Sequence, residues 1–420
     1  MNDLGHKLPI WSVGFFVLLL LAIAVLPLAW GRFWDRNRNK AIVAVLLSLP
    51  VPVLLLHCGD LRPLWHEVGE YVSFIVLLGS LFVVAGGIHL SGDILATPRN
   101  NTLFLAVGGV IANVFGTTGA AMLLIRPLLR TNDERAHVAH IPVFFIFVVC
   151  NIGGCLLPIG DPPLFMGFLR GVPFFWTLRL LPQWLFMMAA VLGAFYFLDR
   201  HHYRKERPRA LAEDLRHYEP IRLHGALNLV LIGGVLASVI FLGSPWREIA
   251  MVALGLLSLV LTPKEIHEKN DFNFAPIGEV AVLFAGIFVT MVPALLILEA
   301  RGSEVGVRLP WHFFWVAGGL SSFLDNTPTY LTYLSLARGL TVAEGLPAEV
   351  AGVPAEILKA ISLGAVFMGA NTYIGNGPNF MVKVICEHQK VKVPSFFGYM
   401  VWSGLVLIPL FVLFTIVFFS

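Results

Sequence analysis

The chain has 420 residues, of which 57% are hydrophobic and 13% charged, with a formal net charge of +3. Soluble domains carry about 25% charged residues, so this composition excludes a soluble globular protein and indicates an integral membrane protein. The basic residues do not form one continuous polar face, which excludes a nucleic-acid-binding surface and leaves the net charge as a signal of membrane orientation.

Apolar segments long enough to cross a membrane follow one another along the whole chain. A bilayer core about 30 Å thick needs roughly 20 apolar residues in a spanning helix. The segments 103–125 and 311–337 are interrupted by Gly, Asn, Thr or Pro and predict re-entrant hairpins. The other segments predict about ten transmembrane helices, at 11–30, 41–57, 71–90, 139–164, 181–199, 223–243, 247–262, 276–299, 357–381 and 396–418.

The basic residues predict the orientation of these helices. About two thirds of the Lys and Arg residues fall on one side of the predicted crossings, and this side includes the polar segment 201–222. Cytoplasmic loops carry the excess of Lys and Arg in membrane proteins. We therefore predict a multi-pass protein of the plasma (inner) membrane with its basic loops in the cytoplasm.

One motif occurs twice in altered form. Residues 159–165 read Ile-Gly-Asp-Pro-Pro-Leu-Phe, and residues 374–380 read Ile-Gly-Asn-Gly-Pro-Asn-Phe. Gly and Pro at membrane depth break a helix, and the freed backbone groups are tolerated only where protein or a cavity surrounds them. Two matching breaks in two halves of a chain are typical of the binding site of a secondary transporter.

The order of the elements predicts an inverted repeat. Residues 1–200 contain five crossings and one hairpin, and residues 223–420 contain the same set. Because five is odd, the second half enters the membrane from the opposite side, and 201–222 is the cytoplasmic linker. The predicted fold class is therefore an all-α, inverted-repeat secondary transporter with two re-entrant hairpins and two broken helices.

Two carboxylates are predicted deep in the membrane, Asp161 in the first half and Asp325 in the second. A charge at that depth costs roughly 2.5–3.5 kcal/mol on insertion scales, so a proton and a cation can compete for such a carboxylate. The simpler alternative is that each aspartate caps a helix N-terminus. The two roles are compatible, and we take both residues as candidate Na⁺ ligands.

Neutral oxygen ligands accompany these carboxylates. Unwound backbone carbonyls, hydroxyls and side-chain amides all suit a hard cation such as Na⁺. The candidate residues are Thr117, Thr118, Thr327, Thr329, Asn151, Asn326, Asn371, Asn376 and Asn379, with Gly160 in the unwound backbone. Glu279 and His89 lie near predicted helix ends, where a position at the membrane interface is the simpler interpretation.

Two stretches carry a family resemblance. Residues 151–161, Asn-Ile-Gly-Gly-Cys-Leu-Leu-Pro-Ile-Gly-Asp, and 323–328, Phe-Leu-Asp-Asn-Thr-Pro, resemble NhaD-type sodium/proton antiporters. These belong to the ion transporter superfamily, together with citrate-transporter-like proteins, arsenite pumps and dicarboxylate/sodium symporters. The resemblance implies a scaffold domain, a moving transport domain and a homodimer. It also implies that Asp161 and Asp325 carry the cation and proton, helped by Asn151, Asn326 and Thr327.

This chain departs from its relatives in two places. Its first hairpin tip reads Gly-Thr-Thr where dicarboxylate symporters have Ser-Asn-Thr, and Pro162-Pro163-Leu164 differs from the antiporter pattern. Our first hypothesis is a sodium (or lithium)/proton antiporter that works by alternating access. It would be a transporter rather than an enzyme, would need no cofactor, and would have the lipid bilayer and a small ion or small molecule as its partners.

Two alternatives remain open. The chain is alternatively a carrier of citrate or another organic anion coupled to Na⁺ or H⁺, although no Arg or Lys is predicted deep in a span. A remote alternative is an intramembrane aspartyl protease, in which the two aspartates would share a proton. The protease hypothesis gives no reason for the repeated motif.

Overall fold

The computed structural model of the chain describes residues 2–34, 36–206 and 220–419, and these residues are largely helical. In chain order the helices and strands are α1 Asn2–Lys7, α2 Val13–Ala29, α3 Gly31–Trp34, α4 Asn37–Ser48, α5 Pro50–His57, α6 Arg62–Gly86, β1 His89–Ser91, α7 Pro98–Thr131, α8 His140–Val148, α9 Pro162–Leu169, α10 Leu181–Tyr203, β2 Arg222–His224, α11 Leu227–Phe241, α12 Trp246–Leu261, α13 Lys264–Lys269, α14 Ala275–Arg301, α15 Pro310–Ser321, α16 Asn326–Glu344, α17 Ala355–Met368, α18 Gly377–His388 and α19 Phe396–Phe418. The predicted all-α membrane class is confirmed.

Seven helical stretches in the described residues are long and apolar enough to cross a membrane. They are Ile10–Pro27, Asn37–His57, Arg62–Gly86, Pro98–Thr131, Phe174–Tyr203, Ala275–Val305 and Phe396–Phe418. The other predicted spans form shorter helices, such as α11 with 15 residues and α12 with 16, or helices that break in the middle. In the described residues, fewer helices are therefore long and apolar enough to cross a membrane than the ten crossings that the apolar segments predict.

Exposure separates the helices that face lipid from those that form the core. On α2, the side chains of Leu18 and Leu21 are 54% and 50% exposed, and on α19 Leu405 is 73% exposed. All nine residues of α8, by contrast, are buried. An apolar helix with an exposed apolar surface suits a lipid environment, whereas α8 is enclosed by other helices.

The first predicted hairpin is present within α7. Its backbone turns at Gly116, where φ is 72° and ψ is 153°. A Cβ atom on Gly108 would lie 3.2 Å from Leu124 Cδ1, so the two arms pack side by side. The side-chain amides of Asn101 and Asn132 exchange hydrogen bonds of 2.9 and 3.0 Å, although a straight helix would separate these residues by about 46 Å. The hairpin is thus longer than the predicted 103–125.

The second hairpin consists of α15 and α16, joined by a turn at residues 322–325. The rings of Phe313 and Tyr333 pack edge to face at 6.5 Å between centroids, which shows that the two arms fold back on each other. This hairpin extends to Glu344 and is also longer than the predicted 311–337.

A two-stranded ribbon joins the two predicted repeats. Strand β1 pairs antiparallel with β2, with His89 opposite His224 and Ser91 opposite Arg222. The ribbon was not predicted, because three residues are too few for an alternating pattern to show. Of the predicted linker 201–222, residues 207–219 lie outside the described residues. The division into 1–200 and 223–420 and their inverted relation stay predictions.

A buried ion pair holds the open end of the first hairpin. Asp199, near the end of α10, accepts a hydrogen bond of 2.6 Å from Arg135 and one of 3.1 Å from Asn101. His140 Nε2 lies 2.9 Å from the same carboxylate. The side chains of Asp199 and Arg135 are 0% and 1% exposed. Here one buried carboxylate is matched by one buried guanidinium, as buried charges require.

Candidate functional site

The first broken helix lies between α8 and α9. The chain leaves the helix after Val148, makes a short 3₁₀ turn, and starts α9 at Pro162, since proline suits the first turn of a helix. Side chains satisfy the freed carbonyls: Trp184 Nε1 donates to Gly153 O at 3.0 Å, and Thr177 Oγ1 donates to Leu156 O at 2.8 Å. This is how an unwound segment survives away from water.

The second broken helix, between α17 and α18, is built in the same way. Tyr399 OH donates to Ala370 O at 2.8 Å, and Ser403 Oγ donates to Asn371 O at 2.7 Å. Tyr399 follows Trp184 at the same offset that separates the two sequence motifs. The motif similarity therefore extends to how each break is held.

A glycine in each motif lets two backbone segments touch. A Cβ atom on Gly160 would lie 2.4 Å from Gly154 O, and one on Gly375 would lie 2.5 Å from Gly369 O. Real Cβ atoms essentially never come this close to a backbone atom. Glycine is therefore required at both positions by close approach.

Four chain segments meet at the Asp161 carboxylate, which is fully buried. Its Oδ1 accepts hydrogen bonds from Thr117 Oγ1 at 2.9 Å and from Asn376 Nδ2 at 3.2 Å. Its Oδ2 accepts one from Asn326 Nδ2 at 2.8 Å. Thr117 follows the turn of the first hairpin, Asn326 begins the second arm of the other hairpin, and Asn376 belongs to the second break. The first break, both hairpins and the second break thus share one carboxylate.

Asp161 does not act as a helix cap. It occupies the N-cap position of α9, but its side chain makes no capping hydrogen bond. The carboxylate is directed to the amides and the hydroxyl of other segments instead. The capping interpretation is therefore wrong for this aspartate.

A second layer of amides positions these donors. Asn151 Nδ2 donates to Asn379 Oδ1 at 2.8 Å, and Asn376 Nδ2 also lies 3.3 Å from Asn151 Oδ1. Asn379 donates to the carbonyls of Gly369 and Thr372, each at 2.9 Å. The amides of both halves form one connected network, so the position of Asn376 depends on the shape of the second break.

Asp325 has a different environment. It is partly buried, and its Oδ1 accepts a hydrogen bond of 3.1 Å from the backbone N–H of Thr327, as an N-cap of α16. Capping is therefore what the structure shows for this aspartate. It immediately precedes Asn326, which contacts Asp161, so the second carboxylate is one residue removed from the network.

The remaining candidates lie around the network or away from it. Thr118 and Gly160 line a small cleft beside the turn of the first hairpin. Asn371 donates from Nδ2 to Ser322 Oγ at 2.9 Å, next to the second break. The Thr329 hydroxyl donates to the backbone carbonyl of Asp325 at 3.1 Å.

The two residues at predicted helix ends lie outside the contacts of Asp161. Glu279 is 42% exposed and pairs with Lys40 at 2.6 Å. His89 Nδ1 lies 2.7 Å from Asn270 Oδ1.

Two supporting residues were missed by the sequence analysis. Asn113 donates to Gly153 O at 2.7 Å and accepts from the backbone N–H of Leu156 at 2.7 Å, which joins the hairpin to the first break. Ser321 Oγ lies 2.7 Å from Asn326 Oδ1 and orients that amide. Asn113 lies three positions before the turn at Gly116, and Ser321 is the last residue of α15 before its turn. A polar residue next to a break in an apolar segment was the available signal.

The geometry suits a proton or a small cation. Asp161 is a buried carboxylate, and its three hydrogen-bond donors among the described residues are neutral. Amide and hydroxyl groups also offer the oxygen atoms that hard cations take as ligands. A protease would need two carboxyl groups that share a proton, whereas the partners of Asp161 are amides and a hydroxyl, and that of Asp325 is a backbone N–H.

The comparison with known families agrees with a transporter. A family model described as "Putative citrate transport" matches residues 5–419, which include both hairpins and both breaks. No curated protein is similar enough to match the chain. The chain belongs to this citrate transport family and is a multi-pass membrane protein of the secondary transporter type.

Proposed function

We propose that the protein is a sodium (or lithium)/proton antiporter that works by alternating access in the plasma membrane. The observation that carries this proposal is the buried Asp161 carboxylate, whose donors are all neutral. A single carboxylate without a fixed positive partner is neutralised by one proton or by one monovalent cation. Because both use the same group, binding of one displaces the other, and exchange follows.

The amides around Asp161 adapt to either occupant. In this structure, Asn326 and Asn376 direct N–H groups to the carboxylate. A cation would be coordinated by the carboxylate together with amide and hydroxyl oxygens, which requires the two amides to turn. Since Asn376 is connected to the second break and Asn326 to the second hairpin, occupancy of the site acts on elements of both halves.

Asp325 is the second proposed carrier, and its replacement by Asn is expected to abolish exchange. Asn is as good an N-cap as Asp, so the change in stability should stay below about 1 kcal/mol while the charge is lost. The measurement is the proton flux of proteoliposomes on addition of Na⁺, compared with protein-free liposomes. Exchange at the wild-type rate in Asp325→Asn would show that Asp325 caps α16 and carries neither the proton nor the cation.

Citrate transport is the second candidate, favoured by the family match over residues 5–419. In that case Asp161 would hold the coupling Na⁺ or H⁺. The cleft beside Thr117 and Thr118 would be the place for the organic anion, but its lining is mostly apolar. A tricarboxylate needs many hydrogen-bond donors, which is why the cation antiporter is placed first.

The experiment that separates these functions uses proteoliposomes that contain a pH-sensitive dye and an imposed proton gradient. Na⁺, Li⁺, K⁺ and citrate are added in turn. Collapse of the gradient by Na⁺ or Li⁺ alone supports the antiporter. A response to citrate, with none to the cations alone, assigns the function to organic-anion transport and contradicts our first proposal.

A further inference from the structure

A second buried charged cluster lies at the other end of α9 from Asp161. Glu67 and Glu70 of α6 are 6% and 7% exposed. Arg170, which directly follows α9, has a side chain that is 8% exposed. Its guanidinium lies 2.5 Å from Glu67 and 2.8 Å from Glu70. We call Glu67, Glu70 and Arg170 the α6–α9 cluster.

The charges in this cluster do not balance, because two buried carboxylates face one guanidinium. On α16, Arg338 donates to the backbone carbonyl of Arg170 at 2.9 Å and lies 3.8 Å from Glu299 of α14, which matches its charge. Tyr330 of α16, which also lies near Arg338, is a neutral group at ordinary pH. Arg338 also interacts electrostatically with Glu70. Among these residues three carboxylates, Glu67, Glu70 and Glu299, share two guanidinium groups, so one negative charge stays unmatched.

The neighbouring charges on α12 are paired with each other. Arg247 lies 2.7 Å from Glu248, whose carboxylate also accepts a hydrogen bond of 2.7 Å from Ser73 of α6. The side chains of this pair are 9% and 12% exposed, slightly more than those of the cluster, and the pair is matched one to one. It therefore does not neutralise the surplus carboxylate.

The cluster has unused binding capacity. Glu67 Oε2 is buried and accepts no hydrogen bond from the described residues, whereas Glu70 Oε1 lies 2.8 Å from Arg170 Nε as part of the ion pair. His66, at the exposed edge, places Nδ1 3.9 Å from the Glu67 carboxylate and 3.6 Å from that of Glu70. A buried charge without a partner is costly, and one added proton removes it.

We propose that the α6–α9 cluster, with His66 at its edge, is a second proton-binding site, separate from Asp161, whose occupancy stabilises the contact between α6 and α9. The bound proton resides on a glutamate or on the imidazole, and in both cases the net charge becomes zero. When the proton leaves, a buried negative charge remains, and the contact between the two helices weakens.

A metal ion fits the cluster less well. Ligand atoms of His66, Glu67 and Glu70 lie within 4.8 Å of one another, a spacing that a metal can use. However, the Arg170 guanidinium already contacts both carboxylates, so a divalent cation would lie beside a fixed positive charge. A proton neutralises the cluster without that repulsion.

The cluster is connected to the transport site by one short helix. Asp161 immediately precedes α9 and Arg170 immediately follows it. Eight helical residues span about 12 Å and move as a unit. The consequence for transport rests on the proposed function: protonation of the cluster holds α9, and therefore Asp161, in the arrangement seen here.

The proton site itself is tested without transport, by thermal unfolding of the purified full-length protein in detergent from about pH 5 to about pH 9. A proton that the folded state keeps and the unfolded chain releases makes stability fall as pH rises. We expect the unfolding temperature of the wild type to fall across this range. In Glu70→Gln, one carboxylate matches one guanidinium, so the slope should be clearly shallower than in the wild type. A proton held at Asp161 contributes to the slope of both proteins equally, and the difference between the two slopes reports the cluster.

Two further variants keep the test decisive. Glu67→Gln removes the same surplus charge, so it should show the same change of slope. It provides the test if Glu70→Gln fails to fold. Glu248→Gln removes a carboxylate from the matched α12 pair, so it should lower the unfolding temperature at every pH and keep the wild-type slope. A wild-type slope in both cluster variants, or the loss of slope in Glu248→Gln as well, would overturn the proposal.

A transport measurement tests this inference separately from the proposed function. In proteoliposomes that show cation/proton exchange, Glu70→Gln should retain exchange but lose part of its dependence on pH. If no exchange occurs even in the wild type, the proposed function fails, while the unfolding result still decides whether the cluster binds a proton.

Discussion

We expect Asp161→Asn to lower cation-driven proton exchange to the rate of protein-free liposomes. The substitution removes the buried charge on which four segments converge, so neither a proton nor Na⁺ has a charged group to bind at this point of the network. An amide oxygen can still accept from Thr117 and Asn376, and one donor–donor contact with Asn326 remains. A buried donor left without an acceptor costs roughly 1–3 kcal/mol, which a folded protein can tolerate.

The control for this prediction is Asp271→Asn, because Asp271 is 79% exposed and its ion pair with Arg126 lies far from the network. Exposed pairs contribute little, so this variant should exchange at the wild-type rate. Both proteins should elute as single species in size-exclusion chromatography. Normal exchange in a folded Asp161→Asn protein would exclude the proposed role of Asp161 under either transport hypothesis.

Gly160→Ala is expected to have a large effect on folding. Its Cβ would lie 2.4 Å from Gly154 O and 3.1 Å from Asn113 Cα, and both are backbone atoms that cannot rotate away. The same residue accepts a hydrogen bond of 2.8 Å from the backbone N–H of Thr117, so a shift of the break also displaces the hairpin turn. Overpacking of this kind costs roughly 1–3 kcal/mol or more.

Thermal unfolding of the purified variants measures this effect. Gly375→Ala should be similarly harmful, since its Cβ would lie 2.5 Å from Gly369 O. Gly404→Ala in α19 is the matched control: its Cβ would meet nothing within 4 Å, and alanine is the better helix former. An unfolding temperature for Gly160→Ala equal to that of Gly404→Ala would show that the two unwound segments do not pack as described.

The membrane elements were predictable because their signals are local. The length of an apolar segment predicts a membrane helix, and Gly, Asn, Thr or Pro inside such a segment indicates an interruption. The hairpins and the breaks were therefore predicted, although the hairpin boundaries differ by up to seven residues from those observed. The ribbon between β1 and β2 and the longer arms of the hairpins were not found. Their ends are set by contacts such as the Asn101–Asn132 pair, which joins residues far apart in the chain.

The two aspartates show where local reasoning ends. Both precede a helix, and the sequence predicted the same two compatible roles for each. In the structure, Asp325 caps its helix, whereas the Asp161 side chain turns to groups on three other segments. A capping pattern is visible in neighbouring residues, but the choice between a cap and a distant amide depends on which segments pack nearby.

The α6–α9 cluster was missed for the same reason. In the sequence, Arg170 counted only as a basic residue in a loop, and Glu67 and Glu70 lay before the predicted span 71–90. Folding extends α6 back to Arg62 and brings Arg170 between the two glutamates. The surplus charge exists only once these three side chains share one buried volume.

The sequence by itself determined the membrane class, the approximate spans, the two breaks and the residue types around them, because hydrophobicity and helix-breaking residues act over short stretches of chain. Tertiary structure alone decided that Asp161 is the carboxylate at which both halves meet, that its donors are neutral, and that Glu67 and Glu70 share one arginine. These properties depend on distances between residues up to 215 positions apart, and burial then determines how strongly the charges interact.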